Sequence, residues 1–503
     1  MGRRARTRRR GSDVIGSRNP PWSGRSIASE ADATEATLVG STPLSPPQNE
    51  RKHARPRLTL EEALGRPVRE AFRAFARHVN PVEAKLLRLG NFDKLYTRAE
   101  GLYLYDDRGR RYRDFTAGFG SLNLGHAPPE VLDAVRKAQA LPNVLLVGFS
   151  PLAAALAEVL AGILPGDLSM ACFGSGGAEA VEIALKTARA ATGRTRFVCC
   201  ENAYHGLTFG AMSVSGSGRY RAVFGPLVEH AEAIPFGDAN ALEQHLAKDD
   251  VAAFIVEPVQ GEGGAVVPPD GYLRTASELC RVHGTLFIVD EIQTGLGRTG
   301  RLFAIEHDGV TPDMVLLSKS LGAGVVPISV CCTTEELWDR AFGRRDRFDL
   351  NISTFGGNAA ACAAGLKSVE ITLRDDLAGR AERLGRHAMA GLQALAERHE
   401  TVRAIRGRGL LLGIELAPPV PGETLAESFV LMVASSLLND YGVLTSYFDL
   451  APRTLRFEPP LTVSEEEIDY AIDSLDRVLT LGVGGLTLSL GKRAIARFAR
   501  RPA

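Results

Sequence analysis

Apolar and polar positions along this chain follow two different periods, and each period predicts a class of element. The side chains of Phe72, Phe75, Ala76 and Val79 recur three and four positions apart, which indicates one face of an amphipathic helix. Residues 101–115 instead alternate apolar and polar side chains on either side of an Asp-Asp-Arg-Gly turn. That pattern predicts a β-hairpin near the start of the folded region.

After Gly125 the pattern changes to helical segments that alternate with short, continuously apolar runs. The clearest runs are Val251–Val256, Thr285–Val289 and Met314–Ser318. A strand with apolar side chains on both faces is buried on both faces, which is typical of a parallel sheet covered by helices. We therefore predict an α/β fold whose large domain has a mostly parallel central sheet flanked by helices.

The remaining pattern predicts a smaller α+β domain that is built from both ends of the chain. Helices dominate again from about residue 375, and Ser464 with Glu467 predicts the capping box of a last helix. The five predicted segments are a disordered Arg/Ser/Pro-rich arm (1–57), the N-terminal part of the small domain (58–125), the large domain (126–375), the C-terminal part of the small domain (376–482) and a mobile basic tail (483–503). For the arm, a transit peptide and an over-called start codon stay open beside disorder.

The amino-acid composition argues against several classes of function. Lys and Arg together number 59 in 503 residues, as do Asp and Glu, so no net charge favours a nucleic acid or an anionic membrane. The seven cysteines lack the spacing of a metal site or a disulfide framework, which favours no metal and a reducing cytoplasm. The longest apolar stretch is interrupted by Pro151 and Glu158, so we expect a core helix there and no membrane span.

Three buried strands are each followed or ended by one polar residue, namely Glu257, Asp290 and Lys319. In doubly wound sheets, ligands bind at the carboxyl ends of the strands, so these side chains are predicted to converge. Lys319 stands out further because only nine of the 59 basic residues are lysines. The alternative, that each residue merely ends a strand, stays open at this point.

Two glycine-rich segments precede or follow these strands. Phe173–Ala178 leads into a helical run, and a helix that begins with small residues presents backbone N–H groups to a phosphate. Gly295–Gly300 matches the spacing of a dinucleotide fingerprint, but Asp290–Thr294 separates it from the strand, so we do not expect a dinucleotide there. A phosphate site, a buried acid and a lysine together suit pyridoxal 5'-phosphate (PLP), which needs all three.

The chain resembles the class-III, or ω-, aminotransferases of PLP fold type I, and among them most closely the bacterial putrescine aminotransferases. The resemblance covers residues 70–480. It rests on four blocks in the same order along the chain, Glu-Pro-Val-Gln-Gly-Glu-Gly-Gly (257–264), Asp-Glu-Ile-Gln-Thr-Gly-Leu-Gly-Arg-Thr-Gly (290–300), Ser-Lys-Ser-Leu-Gly-Ala-Gly (318–324) and Thr-Phe-Gly-Gly-Asn (354–358).

The resemblance implies a role for each matching residue. Lys319 would form the Schiff base with PLP and move the substrate proton, and Asp290 would pair with the pyridine nitrogen. The other implied PLP contacts are Gly176, Gly177 and Ala178 (phosphate), Gln293 (ring hydroxyl), Tyr204 and Ile292 (ring faces), Thr354 (phosphate of the partner subunit in a homodimer), and Glu257. Glu262 and Arg456 would bind substrate, Arg456 taking the 2-oxo acid carboxylate. His205 is interpreted as a hydrogen-bonded structural histidine.

The resemblance implies a ping-pong transaminase that exchanges an amino group between a primary amine, such as a diamine, and a 2-oxo acid such as 2-oxoglutarate or pyruvate. Another PLP reaction on the same fold (aminomutase, decarboxylase or racemase) and a non-catalytic paralogue stay open. One departure concerns the phosphate site. The family usually has Asn-Ser-Gly where this chain has Ser175, Gly176 and Gly177, so a hydroxyl is lost or moved to Ser175.

Overall fold

The computed structural model of the chain describes residues 58–142, 146–216, 218–418 and 423–499. The predicted arm, residues 1–57, lies outside the described residues. The chain divides into two units, residues 1–65 and residues 66–503. In the described part of the first unit, Thr59 caps a short helix through a complete capping box with Glu62. The second unit contains every predicted site residue.

The helices alternate with strands through the middle of the chain, as the sequence pattern predicts. The α-helices are α1 (Leu60–Leu64), α2 (Val68–His78), α3 (Pro81–Leu89), α4 (Ala117–Gly120), α5 (Pro129–Ala138), α6 (Pro151–Ile163), α7 (Gly177–Thr192), α8 (Phe209–Val214), α9 (Gly218–Phe224), α10 (Ala239–Leu246), α11 (Tyr272–Val282), α12 (Glu335–Phe342), α13 (Ala359–Arg374), α14 (Leu377–Ala396), α15 (Glu423–Ser436), α16 (Glu465–Thr480) and α17 (Gly482–Ala499). Two 3-10 helices (Ala304–His307 and Lys319–Gly322) and a π-helix (Leu437–Tyr441) complete this set. None of the helices in the described ranges combines the length and the apolar character that crossing a bilayer requires.

The strands form three sheets. They are β1 (Tyr96–Glu100), β2 (Tyr103–Asp106), β3 (Arg111–Asp114), β4 (Met170–Gly174), β5 (Arg196–Cys200), β6 (Ala231–Ile234), β7 (Val251–Val256), β8 (Leu286–Asp290), β9 (Met314–Leu317), β10 (Ser329–Thr333), β11 (Val402–Arg408), β12 (Leu411–Leu416), β13 (Val443–Leu444), β14 (Tyr447–Phe448) and β15 (Ala451–Phe457). The predicted hairpin corresponds to β2 and β3, which pair antiparallel.

The central sheet has seven strands in the order β4-β10-β9-β8-β7-β5-β6. All neighbours are parallel except β10, which runs antiparallel to both β4 and β9. Along β7, Phe254 and Val256 belong to one apolar cluster while Ala253 and Ile255 belong to another, so both faces of the strand are buried. This burial explains the continuous apolar runs and confirms the predicted α/β fold class.

The two smaller sheets have the orders β1-β2-β3-β13 and β11-β12-β15-β14. In the first, β13 pairs parallel with β3, with Val443 opposite Arg113, so the C-terminal part of the chain completes a sheet begun by the N-terminal part. The structure therefore has an additional small sheet region assembled from both ends of the chain, as predicted.

The C-terminal segment corrects one prediction. Residues 483–503 were expected to form a mobile basic tail, but the structure has a helix, α17, as far as Ala499. Leu486 is completely buried in an apolar cluster, and Arg493 donates to Ser435 and Ser436 at the end of α15. Burial of an apolar side chain and buried polar contacts stabilise this helix despite its glycines.

The predicted capping box of α16 forms only in part. The Ser464 hydroxyl accepts the backbone N–H of Glu467 at 3.4 Å, as expected for an N-cap. The Glu467 carboxylate, however, accepts hydrogen bonds from the Tyr103 hydroxyl and from Arg113. The Glu467 side chain therefore pairs with a distant strand and does not complete the capping box.

The glycine-rich segment 295–300 after β8 is a loop with a buried arginine at its centre. The side chain of Arg298 is completely buried, and its Nη1 donates to the carbonyls of Leu410 (3.1 Å) and Pro459 (2.5 Å). Its Nη2 donates to Oδ1 of Asn123 at 2.6 Å. The loop thus joins the central sheet to segments from both ends of the chain, which agrees with setting the dinucleotide interpretation aside.

Candidate active site

The carboxyl ends of β7, β8 and β9 lie side by side at one edge of the central sheet. Val256 pairs with Val289, and Asp290 pairs with Leu316, so the strands are in register where they end. Glu257 directly follows β7, Asp290 ends β8, and Lys319 follows β9 by two residues. The structure therefore brings the three polar residues to the same edge, as the sequence predicts.

Asp290 is held on both carboxylate oxygens. Its Oδ1 accepts the backbone N–H of Ile292 at 3.0 Å, and its Oδ2 lies 2.7 Å from Nδ1 of His205. Burial lowers the pKa of His205, but the hydrogen bond and the charge of Asp290 outweigh this effect and raise the pKa above its ordinary value. The hydrogen bond to Asp290 therefore fixes the orientation of the buried imidazole, which is the structural role expected of His205.

Glu257 connects two loops through its carboxylate. Oε1 accepts the backbone N–H of Tyr204 and Oε2 accepts that of Gly261, both at 2.9 Å. Burial raises the pKa of Glu257 to about 7, with His205 opposing the rise and Asp290 adding to it. Since both oxygens are engaged by backbone donors, the contact of Glu257 with a cofactor stays a prediction.

This raised pKa predicts a pH dependence of stability. The carboxyl is protonated more in the folded than in the unfolded protein between its ordinary pKa of 4.5 and about 7. Its stabilising contribution is therefore complete below pH 4.5 and is lost as the pH rises through 7, an effect of about 3 kcal/mol. Glu257→Gln should flatten the pH dependence of the unfolding free energy of the cofactor-free protein, measured in urea. An identical dependence in both proteins would contradict the assignment.

Lys319 lies beside Gln293 and among opposite charges. Its Nζ donates to Oε1 of Gln293 at 2.9 Å. Burial lowers the pKa of Lys319 below its ordinary value, while the carboxylates of Glu262 and Glu458 raise it in part. The backbone of Lys319 is left-handed, with φ of 40°, which is strained for a residue that is not glycine. A lowered pKa favours the neutral amine, which is the nucleophilic form.

The first turn of α7 has free backbone N–H groups of the kind that can bind an anion. Gly176 is its N-cap, and no side chain caps the helix. The first N–H groups of a helix have no intrahelical acceptor, and they carry the positive end of the helix dipole. Ile292 lies close to this turn, since a Cβ added to Gly177 would be 3.1 Å from its Cδ1. The N–H of Ser175 donates to Oε2 of Glu179 at 2.6 Å, one turn into the helix.

Arg456 and Glu262 form a buried ion pair. The guanidinium is completely buried, and its Nη2 donates to both oxygens of Glu262, at 2.7 and 2.9 Å. Burial raises the pKa of Glu262, but the charges of Arg456 and Lys319 outweigh it and hold the pKa below its ordinary value. The rings of Phe119 and Phe448 lie 4.8 and 4.1 Å from the guanidinium carbon. The pair is therefore buried and does not lie on the surface.

Sequence reasoning missed Glu458. Its carboxylate is completely buried and accepts from Nη1 of Arg456 at 2.6 Å and from Nε2 of Gln293 at 2.9 Å. A usable pattern was present, because Arg456 and Glu458 occupy alternate positions around Phe457, where the strand ends, and so share one face. Charged residues at alternate positions among apolar neighbours indicate a buried pair.

Two predicted residues lie at the margin of the cluster. Tyr204 is half-buried and packs edge-on against Tyr220, with ring centroids 6.4 Å apart. Thr354 is exposed, and no hydrogen bond described in this chain connects it to the other predicted residues. The phosphate contact predicted for Thr354 therefore requires a second subunit.

Comparison with known proteins shows the same architecture elsewhere. Residues 88–479 match the family described as aminotransferase class-III. The aminotransferase PigE of a Serratia species is 38% identical over 443 residues, covering 80% of this chain and 52% of the relative, so the chain spans about half the length of that curated protein. The crystal structure of ornithine aminotransferase from Toxoplasma gondii ME49 has a TM-score of 0.75 and 34% identity, covering 84% of this chain and 99% of the other. A PLP-bound amine transaminase from an uncultivated Pseudomonas species has a TM-score of 0.72 and 29% identity, covering 77% and 94%.

Proposed function

Since the chain belongs to the class-III aminotransferase family, we propose that it is a PLP-dependent transaminase that moves an amino group between a primary amine and a 2-oxo acid such as 2-oxoglutarate or pyruvate. The observation that carries this proposal is the position of Lys319, at a strand end beside Gln293 and the Asp290 strand, with a lowered pKa. A lysine amine of this kind can act both as nucleophile and as proton carrier.

The described residues fit PLP. PLP supplies an aldehyde that accepts an amine and a ring that withdraws electrons from the substrate carbon. The uncapped first turn of α7 offers N–H groups at Gly177 and Ala178, next to Gly176, for the phosphate. The loss of the usual Ser hydroxyl at this site, with Ser175 alongside, leaves the backbone donors to provide most of the binding.

Other residues of the site would hold the cofactor ring and move the substrate proton. Asp290, which is held by His205 and by the N–H of Ile292, would keep a proton on the pyridine nitrogen. Tyr204 and Ile292 would confine the two ring faces, and Gln293 would bind the ring hydroxyl. Nζ of Lys319 would accept the proton from the substrate carbon and return it.

For the substrate we propose a diamine or another terminal amine, with the aldehyde as its product. The putrescine aminotransferase resemblance supports this class, as do the names of the amine transaminase and ornithine aminotransferases that share the fold. The alternatives are an aminomutase, decarboxylase or racemase reaction on the same fold, or a non-catalytic paralogue. A panel of amines tested with 2-oxoglutarate or pyruvate distinguishes them. Aldehyde release with equal amounts of glutamate or alanine supports transamination, whereas carbon dioxide or isomerised amine without transfer would contradict it.

A second part of the proposal explains how one pocket accepts both substrates. Arg456 pairs with Glu262 while the amine is bound, and Glu262 moves away when the 2-oxo acid carboxylate needs the guanidinium. The buried geometry supports this exchange, because losing Glu262 would leave Nη2 of a buried arginine without an acceptor, whereas a carboxylate from the substrate can replace Glu262. The backbone N–H of Asp449, which donates to Oε2 of Glu262 at 3.0 Å, stabilises the paired position.

The exchange predicts unequal effects on the two half-reactions. Arg456→Ala should slow the 2-oxo acid half at least about tenfold more than the amine half, since a lost charge-assisted contact costs about 1.5–3 kcal/mol. Glu262→Ala should harm the amine half more than the 2-oxo acid half. Stopped-flow absorbance, with each half-reaction measured separately, provides the rate constants. Equal losses in both halves for Arg456→Ala would rule the exchange out.

We further propose a homodimer in the cytoplasm. Thr354 is exposed, and its neighbours Phe348, Leu350, Ile352 and Phe355 are large apolar side chains that are more than half exposed. An exposed apolar segment next to a predicted phosphate contact supports a partner subunit that covers it and shares the site. All seven cysteines are free, which supports a reducing compartment.

A further inference from the structure

Glu458 lies between the lysine side and the arginine side of the proposed site. Its two oxygens accept from Nε2 of Gln293 (2.9 and 3.2 Å) and from Nη1 of Arg456 (2.6 Å). Gln293 in turn accepts from Lys319, and Arg456 donates to Glu262. We propose that Glu458 is a positioning residue that fixes the orientations of the Gln293 amide and the Arg456 guanidinium, a role that rests on the proposed function.

The first effect concerns which end of the Gln293 amide faces Lys319. A charged carboxylate only accepts hydrogen bonds, so Glu458 must face the NH₂ group of Gln293. The carbonyl oxygen then faces Nζ of Lys319, 2.9 Å away. Rotating the amide by half a turn would place its oxygen against the carboxylate and its NH₂ against the lysine. Glu458 therefore determines that Lys319 meets an acceptor.

The second effect concerns which edge of Arg456 receives a carboxylate. Glu458 occupies Nη1, while Glu262 occupies Nη2. Nε of Arg456 is buried without a hydrogen-bond partner among the described residues. In a guanidinium, Nε and Nη2 share one edge, and this edge can bind a carboxylate with two parallel hydrogen bonds. When Glu262 moves away, that edge is open to the 2-oxo acid, and the bond to Glu458 keeps the guanidinium from rotating.

The surroundings leave little freedom for Glu458 itself. A Cβ added to Gly120 would be 2.6 Å from its Oε1, and Gly120 has a φ of 81° that favours glycine. Nε of the buried Arg298 is 3.9 Å from the same oxygen. Removal of the whole side chain would leave two buried arginines without this counter-ion, so alanine is a poor test. Glutamine has the same shape, but it presents a donor to either Gln293 or Arg456.

The test compares holoenzymes of the full chain carrying Glu458→Gln with the wild type. We expect the 2-oxo acid half-reaction to slow by about five- to tenfold more than the amine half, because the arginine edge is no longer fixed. We also expect the absorbance of the lysine-bound cofactor, titrated with pH, to change at a lower pH, by about half a pH unit or more, since a negative charge near the lysine is lost. The titration reports on the charge beside Lys319 independently of turnover, and the ratio of the half-reactions reports on positioning.

Glu291→Gln is the matched control. Glu291 is a buried carboxylate that accepts from the Thr294 hydroxyl and from the N–H of Ile305, and no described hydrogen bond joins it to Lys319, Gln293 or Arg456. The Glu291→Gln protein should be less stable than the wild type. The ratio of its two half-reaction rates and the pH titration of its cofactor should equal those of the wild type. If Glu458→Gln does not fold, Glu458→Asp replaces it. The charge then stays and the reach is shortened, so the 2-oxo acid half-reaction should still slow more than the amine half, while the titration should stay near that of the wild type.

The outcomes separate this inference from the proposed function. Equal slowing of both half-reactions together with an unchanged titration would overturn the role of Glu458. A wild-type enzyme that performs neither half-reaction would contradict the proposed transaminase, and the titration would then decide the role of Glu458 alone. A shift in the titration for Glu458→Gln but not for Glu291→Gln supports it.

Discussion

Lys319→Ala should lower the rate of amino-group transfer by at least about 10⁴-fold while the protein stays folded. The substitution removes both a nucleophile and a proton carrier, and proton transfer by a positioned group is alone worth about 10²–10⁴-fold. Nζ makes one described hydrogen bond, to Gln293, so its loss disturbs few contacts. The measurement is turnover with the best amine of the panel, beside circular dichroism as a check of folding.

Two observations control for indirect effects in this experiment. Lys367→Ala removes a lysine that pairs with Glu370 on α13, outside the site, and should keep wild-type turnover. Borohydride should fix the cofactor to the wild-type peptide that contains Lys319 and leave Lys319→Ala unlabelled. If Lys319→Ala still transferred amino groups at more than a trace rate, the assignment of this lysine would be wrong.

Asp290→Asn should slow turnover by about ten- to a hundredfold or more while the protein still binds PLP. A neutral amide cannot hold a proton on the pyridine nitrogen as a carboxylate does, and a hydrogen bond to a charged group is worth about 1.5–3 kcal/mol. The change also removes the charge that faces His205 in the buried pair at 2.7 Å. Cofactor titration followed by absorbance, combined with kcat, separates binding from chemistry.

Asp313→Asn is the matched variant for this test. Asp313 accepts the backbone N–H of Phe287 at 2.7 Å, near the amino ends of β8 and β9. Turnover per folded molecule should equal that of the wild type. Wild-type kcat in Asp290→Asn would remove this carboxylate from the mechanism.

The strand ends and the lysine could be predicted because local sequence determines them. Strands buried on both faces are continuously apolar, so the polar residue that ends each strand is visible without a structure, as for Asp290. The uncapped start of α7 was also predictable, since small residues before a helical run, such as Gly176 and Gly177, are recognisable in sequence. Both inferences depend on neighbours in the chain and on the regular geometry of sheets.

The remaining parts depend on residues that are far apart in sequence. Gln293 and Glu458 are separated by 165 positions, and no periodicity connects them. The Glu467 side chain does not complete the capping box, because its carboxylate accepts partly buried hydrogen bonds from Tyr103 and Arg113. The helix α17 forms where its glycines and basic residues predicted a mobile tail, because Leu486 finds a buried position. Tertiary packing overrides local preference at each of these points.

The buried Arg298 also limits how far this chain can be truncated. All three of its hydrogen-bond partners, at Asn123, Leu410 and Pro459, lie outside residues 126–375. A fragment limited to that range would contain the entire central sheet, yet its arginine side chain would lose all three of these acceptors, and the surface that the flanking segments cover would be left exposed. The catalytic sheet is therefore not an autonomous piece for expression or domain exchange. Any shortened version has to retain both flanking segments, from Asn123 to Pro459 at least.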